Sequence, residues 1–126
     1  MLTVERGIYV IKGIGIDLCS ISRMKSAVER KGFTERVFSA EEIEYAENSA
    51  CPEEHYAASF AASEALAKAL KCGLWKLGVN DVFVKRTENG PEFVLNKQLP
   101  DGVSRVFLSL SHENDCAAAF VVAEGE

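Results

Sequence analysis

Residues 9–16 are dense in β-branched and aromatic side chains and carry the small pair Gly13 and Gly15. That pattern predicts a buried strand whose end lies close to other backbone, with Asp17 following at its carboxyl end. From Ser20 the apolar period changes: Ile21, Met24, Ala27 and Val28 recur at helical spacing, and Gly32 supplies a stop. Ser39 with Glu42 three residues on is a capping-box pair that starts a second helix through Ala46. Residues 48–54 read as a loop, with Pro52 placed for the first turn of the helix after it. Residues 53–70 are Ala-rich and strongly helix-forming, and their small side chains let neighbouring backbones approach. This segment is expected to be the central helix.

Gly73 and Gly78 mark a return to strands. Residues 82–85 and 92–95 flank Asn89-Gly90, a dipeptide suited to a tight β-hairpin turn. Val106, Leu108 and Leu110 alternate with Phe107, Ser109 and Ser111, and a second apolar run over 116–123 follows the polar connection 112–115. A strand, then helices, then two hairpins predicts the α+β class: a mostly antiparallel sheet packed on a long central helix. The length of 126 residues suits one domain over 1–126.

Composition narrows the function classes. Hydrophobic residues at 48% with 26% charged are the balance of a soluble globular protein, and no apolar run approaches the roughly 20 residues that span a bilayer. Residues 7–16 are apolar but interrupted by Lys12, without a basic leader or a small-residue cleavage site, so they are expected to be a strand and not a signal. Cys19, Cys51, Cys72 and Cys116 form no CxxC pair, which favours free thiols in a reducing compartment, the cytoplasm. A formal net charge of -5 argues against a nucleic-acid surface. Within this acidic chain, Arg23, Lys25, Arg30, Lys31 and Arg36 outnumber Glu29 and Glu35, giving either a solvated helix face or a docking surface.

Glu64 and Lys68 stand four apart on the expected central helix, so both project from one face, where they can act on one ligand or simply pair with each other. A Mg²⁺ ion takes hard oxygen ligands, typically one or two carboxylates plus waters and substrate phosphates, and Asp17 with Glu64 could supply them. Lys68 beside such a site would hold a phosphate oxygen or give up a proton, and His112 in a Ser-His turn could hydrogen-bond another phosphate. Other constellations fail. Cys51, His55, His112 and Cys116 lack the usual zinc-knuckle spacing. Gly13-x-Gly15 has no third glycine for a dinucleotide loop. Ser111, His112 and Asp115 are too close in sequence for a triad built from separate elements.

Four pieces in order, Gly13-Ile14-Gly15-Ile16-Asp17-Leu18, then Phe33 to Ser39 with Glu42, then Phe60-Ala61-Ala62-Ser63-Glu64-Ala65 with Lys68, and Leu108-Ser109-Leu110-Ser111-His112, together resemble the holo-acyl-carrier-protein synthases. The resemblance runs from Ile11 to Val122 and leaves residues 1–9 as an N-terminal extension. It implies transfer of the phosphopantetheine arm of coenzyme A to a serine of acyl carrier protein, with release of 3',5'-ADP. It further implies Mg²⁺ held by Asp17 and Glu64, with Glu64, Lys68 and Asp17 as catalytic groups. Lys68, His112, Ser63, Gly90 and Pro91 are expected against coenzyme A. A homotrimer with active sites between subunits is also implied, as is docking of the acidic carrier on Arg23, Lys25, Arg30, Lys31 and Arg36.

The chain departs from the family pattern at three places. Ser59 and Ser63 replace residues that are commonly basic, and a glycine-lysine-proline turn is shortened to Gly90-Pro91. Fewer cations imply weaker coenzyme A binding unless Lys71, Lys76 or a neighbouring subunit compensates. The alternative function is a catalytically weak homologue that binds carrier protein or nucleotide.

Overall fold

The computed structural model describes residues 7–72 and 78–126. Within them the chain runs β1 (Val10–Ser20), α1 (Ile21–Val28), α2 (Phe33–Val37), α3 (Ala40–Glu47), α4 (Pro52–Ala69), β2 (Val82–Thr87), β3 (Gly90–Leu95), β4 (Arg105–Glu113) and β5 (Cys116–Gly125). The α+β expectation holds, with the strands divided between two sheets. An antiparallel sheet of order β1-β5-β4 packs on α4, and β2-β3 form a separate antiparallel hairpin.

Small residues set how closely α4 lies on the larger sheet. Ala61, Ala62, Ala65 and Ala69 of the helix meet Ala119, Val121 and Ala123 of β5 in one buried cluster. On β1, a Cβ at Gly13 would overlap the carbonyl oxygen of Ala69, and one at Gly15 would overlap that of Ala65. The two glycines therefore mark close backbone approach, as expected, but they do not mark the end of the strand. Pairing with β5 continues to Ser20 opposite Cys116, which places Asp17 inside β1 opposite Ala119. Strand alternation then turns Gly13, Gly15 and Asp17 toward α4 and Ile14, Ile16 and Leu18 to the opposite face.

A second cluster, with Ile21, Met24, Phe38, Tyr56, Ala57 and Ala117, seats the short helices on the first turns of α4. Helix α1 starts where expected, on the Ser20 cap, but ends at Val28, before Gly32. Gly32 instead adopts a left-handed backbone, φ 78°, and opens α2, a one-turn helix that the apolar spacing did not reveal. The Ser39–Glu42 capping box forms as expected: Ser39 Oγ accepts from the Glu42 amide at 3.2 Å and Glu42 Oε1 from the Ser39 amide at 2.9 Å. The other Glu42 oxygen accepts from the Val84 amide at 3.0 Å, so one buried carboxylate joins α3 to β2. Pro52 occupies the first turn of α4, shortening the expected loop to 48–51.

Both hairpin turns are shifted from their expected positions. Thr87 pairs with Gly90, so Glu88 and Asn89 form the first turn, and Gly90, φ 105°, begins β3. Glu113 pairs with Cys116, so the second turn is Asn114-Asp115, with Asn114 at φ 52°, and His112 stands in β4 and not in a turn. Gly73 and Lys76 lie outside the described residues, as do 1–6 of the expected extension. No helix among the described residues is long and apolar enough to cross a membrane.

Candidate active site

Asp17 and Lys68 come from elements 51 residues apart in sequence, brought together by the glycine-mediated contact of β1 with α4. Lys68 Nζ donates to the Ile16 carbonyl at 2.9 Å and to Asp17 Oδ1 at 3.2 Å. Lys68 thus crosses to the strand, and the simple Glu64–Lys68 helix pair is not what forms. Glu64, one helical turn before Lys68, is half-buried, and its carboxyl is raised above the ordinary glutamate range. Desolvation is the main cause and the charge of Asp17 the next, with Lys68 opposing both. Nearby Cys19 is pushed up to about 11, first by burial and then by Asp17, Cys116 and Glu64, so its thiol stays protonated at neutral pH. The Glu64 carboxyl, made harder to ionise by burial and by Asp17, and the Asp17 carboxylate, with one ammonium beside them, make a pair of hard oxygen donors suited to a small divalent cation.

His112 belongs to a different group. A cavity of about 290 Å³ is lined by Tyr45, Glu54, His55, Arg86, Gly90, Pro91 and His112, among others, and by none of Asp17, Glu64 and Lys68. The site residues expected from sequence therefore fall into two places in one chain: the carboxylate–lysine group, and a cavity holding His112, Gly90 and Pro91. Ser63 is half-buried beside Glu64 and does not line the cavity.

Several cavity residues were not legible in the sequence. Arg86 Nη1 donates to the buried Ser59 hydroxyl at 3.1 Å, and its guanidinium lies 5.0 Å from the Tyr45 ring centroid. Tyr45 in turn meets His55 edge-on at 4.9 Å. Burial holds His55 below the ordinary histidine range, assisted by the charge of Arg86 and opposed by Glu54. Arg86 sits in a short strand beside Lys85, and no local pattern distinguishes which of the two cations turns inward. The rejected zinc grouping does not form either: Cys51 Sγ is turned to Glu53 and Cys116 Sγ to its neighbour's carbonyl. Among the described residues no cluster of three or more His, Cys, Asp or Glu could hold a metal.

The five basic residues are distributed over more than one groove. Arg23 of α1 and Arg30, just beyond the end of that helix, line a shallow groove with Ser22, Ser26 and Ala27. Lys25 lines another groove with Glu29, Glu35, Glu47 and Glu53, an acid-rich setting. Arg36 folds back against Gly32, and Lys31 is exposed before α2.

Comparison with known proteins gives this arrangement a family. A family model described as the 4'-phosphopantetheinyl transferase superfamily matches residues 13–121. The chain is 38% identical to a holo-[acyl-carrier-protein] synthase of Clostridium perfringens, over 93% of this chain and 96% of that protein. It is likewise 38% identical to one from Cytophaga hutchinsonii, over 90% and 97%. Among solved structures, a holo-(acyl-carrier-protein) synthase of Bacillus anthracis in complex with CoA (3',5'-ADP) superposes with a TM-score of 0.77 at 30% identity, covering 92% of this chain and 98% of that one. The Helicobacter pylori synthase in complex with coenzyme A gives 0.76 at 32% identity, covering 87% and 98%. With matches across nearly the whole chain in both sequence and fold, the protein belongs to the 4'-phosphopantetheinyl transferase superfamily, among its holo-[acyl-carrier-protein] synthases.

Proposed function

We propose that this protein moves 4'-phosphopantetheine from coenzyme A to a serine hydroxyl of an apo acyl carrier protein, releasing 3',5'-ADP. The observation that carries the reading is the meeting of Asp17, Glu64 and Lys68 from β1 and α4, in a chain whose relatives are synthases of this kind. Asp17 and Glu64 would hold one Mg²⁺, which when bound supplies positive charge to the substrate pyrophosphate. Glu64, directly or through a water it orients, takes the proton of the attacking serine, for which a raised carboxyl is suited. The serine oxygen bonds to the β-phosphorus as the bond from that phosphorus to the bridging oxygen breaks, leaving the electron pair on 3',5'-ADP. Lys68, held by the Ile16 carbonyl and Asp17, donates to the departing phosphate oxygen.

The assembly in this reading is a homotrimer. Ile14, Ile16 and Leu18 remain 61%, 60% and 65% exposed on the sheet face away from α4, with Phe107 and Phe120 on the same face. A run of exposed large apolar side chains on one sheet face is the kind of surface that association with another chain covers. Active sites between subunits also fit the separation of Asp17 from the His112 cavity, because a seam can set one chain's carboxylates beside another's cavity. The carrier docks on α1 and the turn after it, through Arg23 and Arg30. Four unpaired cysteines suit the reducing cytoplasm.

The deciding experiment incubates apo carrier protein with this protein, coenzyme A and Mg²⁺ and weighs the carrier by mass spectrometry. Addition of the phosphopantetheine mass, lost when Mg²⁺ is chelated, is expected. Coenzyme A binding without mass gain would leave only a binding module.

A further inference from the structure

Arg86 is a cation without a matching anion. It is half-buried, yet no acidic side chain lies within ion-pair distance of it among the described residues. Glu42, whose charge reaches it, already has both oxygens committed, to the Ser39 and Val84 amides. The guanidinium therefore spends one of its five donors on the neutral Ser59 hydroxyl and rests on the face of Tyr45. Removing a guanidinium from water without a charged partner is unfavourable, and burial pulls its proton affinity down accordingly. Such a group is held ready for an anion that arrives from outside.

The cavity around it sets the class of anion. His55, His112, Thr87 and Ser111 offer hydrogen-bonding groups, Tyr45 offers a ring, and Glu54 is the one carboxylate in the lining. Coenzyme A carries two separate phosphate groups, a pyrophosphate and a ribose 3'-phosphomonoester. In the reading above the pyrophosphate goes to Asp17, Glu64 and their cation. The monoester dianion would be repelled by bare carboxylates and needs direct donors, which a planar guanidinium fork provides bidentately.

The position of Arg86 also accounts for Ser59. A basic residue is expected there on α4, and the chain has instead a small buried hydroxyl that accepts from Arg86. A large side chain at 59 would compete for the space the guanidinium occupies. In this chain the cation beside position 59 comes from strand β2 and not from the helix.

We propose that Arg86 is the residue by which this protein reads the 3'-phosphate of coenzyme A and distinguishes it from 3'-dephospho-coenzyme A. This inference rests on the proposed transferase function. It replaces the expectation of weakened coenzyme A binding at Ser59 with a specific donor supplied by another element.

Titration calorimetry of the full-length protein with coenzyme A and with 3'-dephospho-coenzyme A, at fixed Mg²⁺, tests it in the wild type, Arg86→Gln and Arg86→Lys. The wild type is expected to prefer coenzyme A by about 10-fold or more, the worth of a charge-assisted hydrogen bond. Arg86→Gln should lose most of that preference by weakening coenzyme A alone, and Arg86→Lys should keep part of it. Equal weakening of both ligands in Arg86→Gln, or an undiminished preference, overturns the assignment. Should Arg86→Gln fail to fold, Arg86→Lys decides: the preference must fall below wild type with dephospho-coenzyme A binding intact, and an unchanged preference overturns it. A wild type that neither binds coenzyme A nor modifies a carrier removes the transferase reading and this inference together. Transfer with a preference indifferent to residue 86 removes this inference alone.

Discussion

Lys68 has Glu64 one turn away on its own helix, yet it reaches across to Asp17 and the Ile16 carbonyl. Glu64 stays half-buried with a carboxyl raised by desolvation and by Asp17, an arrangement different from a helix salt bridge and the basis of the role proposed for the trio at phosphorus. Asp17→Ala and Glu64→Ala are each expected to reduce Mg²⁺-dependent transfer by at least about 10²-fold with the fold retained, the scale on which a lost electrostatic stabiliser acts. Lys68→Ala should slow transfer with its Mg²⁺ requirement unchanged. Initial rates over a Mg²⁺ series measure both, and wild-type rates in either carboxylate variant would exclude that residue from the site. The raised Glu64 carboxyl also has a signed consequence for stability. A carboxyl whose folded value lies above its unfolded value contributes stability at low pH that is lost as pH rises through the folded value. The metal-free protein should thus gain stability above that range when Glu64→Gln removes the charge, while losing its response to Mg²⁺. Thermal melts at pH 5 and pH 8, with and without Mg²⁺, read the effect, and parallel wild-type and variant curves at both pH values would contradict it.

At the scale of elements, the β1–α4 contact decides whether the site exists. Gly13 and Gly15 let the strand backbone lie on the helix carbonyls of Ala69 and Ala65, and the Asp17 carboxylate follows in the same alternation. In Gly15→Ala the obstructing atom is rigid backbone, so the elements must separate. Destabilisation of about 1–3 kcal/mol or more is expected from such overpacking, together with a larger fall in turnover than in coenzyme A binding. Denaturant midpoints and kcat against KM measure the two, and an unperturbed midpoint would show that the contact is soft. Helix α1 is fixed differently. Asp115 in the β4–β5 turn accepts from the Ser22 amide at 2.8 Å and from the Ser20 and Ser22 hydroxyls, anchoring the start of the helix that carries Arg23 and leads into Arg30. Reversing both arginines to glutamate should raise KM for the carrier about 10-fold with little change for coenzyme A, the effect shrinking as salt screens exposed charge. Steady-state kinetics at 50 and 300 mM salt test this, and a loss indifferent to salt would leave α1 an ordinary solvated face.

For the whole molecule, the outer face of the β1-β5-β4 sheet is the feature on which the proposed assembly rests. Ile14, Ile16 and Leu18 alternate with residues that face α4, so one strand serves the core on one side and an apolar open surface on the other. Placing a charge at the middle of that surface with Ile16→Glu should dissociate the proposed trimer to monomers, and transfer should fall with it if sites are shared across seams. Sedimentation velocity reads the mass and carrier modification reads the activity. A trimer that persists, or a fully active monomer, would separate the apolar face from assembly or assembly from catalysis.

Local chemistry by itself determined much of this protein. The Ser39–Glu42 capping box, the Pro52 start of α4, the Ala-rich helix and the close approach at Gly13 and Gly15 were legible because each depends on neighbours within a few residues or on the absence of a side chain. The motifs also nominated Asp17, Glu64, Lys68 and His112. Strand extent and turn position were less legible: β1 continues through Asp17 because β5 offers ladder partners as far as Cys116, and a partner strand is not visible in the segment it extends. Tertiary structure alone decided that Lys68 pairs with Asp17, that Lys25 turns toward acids while Arg23 and Arg30 share a groove, and that Arg86 supplies a cation beside Ser59. Those outcomes depend on which groups meet after the backbone has packed. Sequence spacing constrains side chains on one element, whereas charges carried by different elements are matched only by the fold.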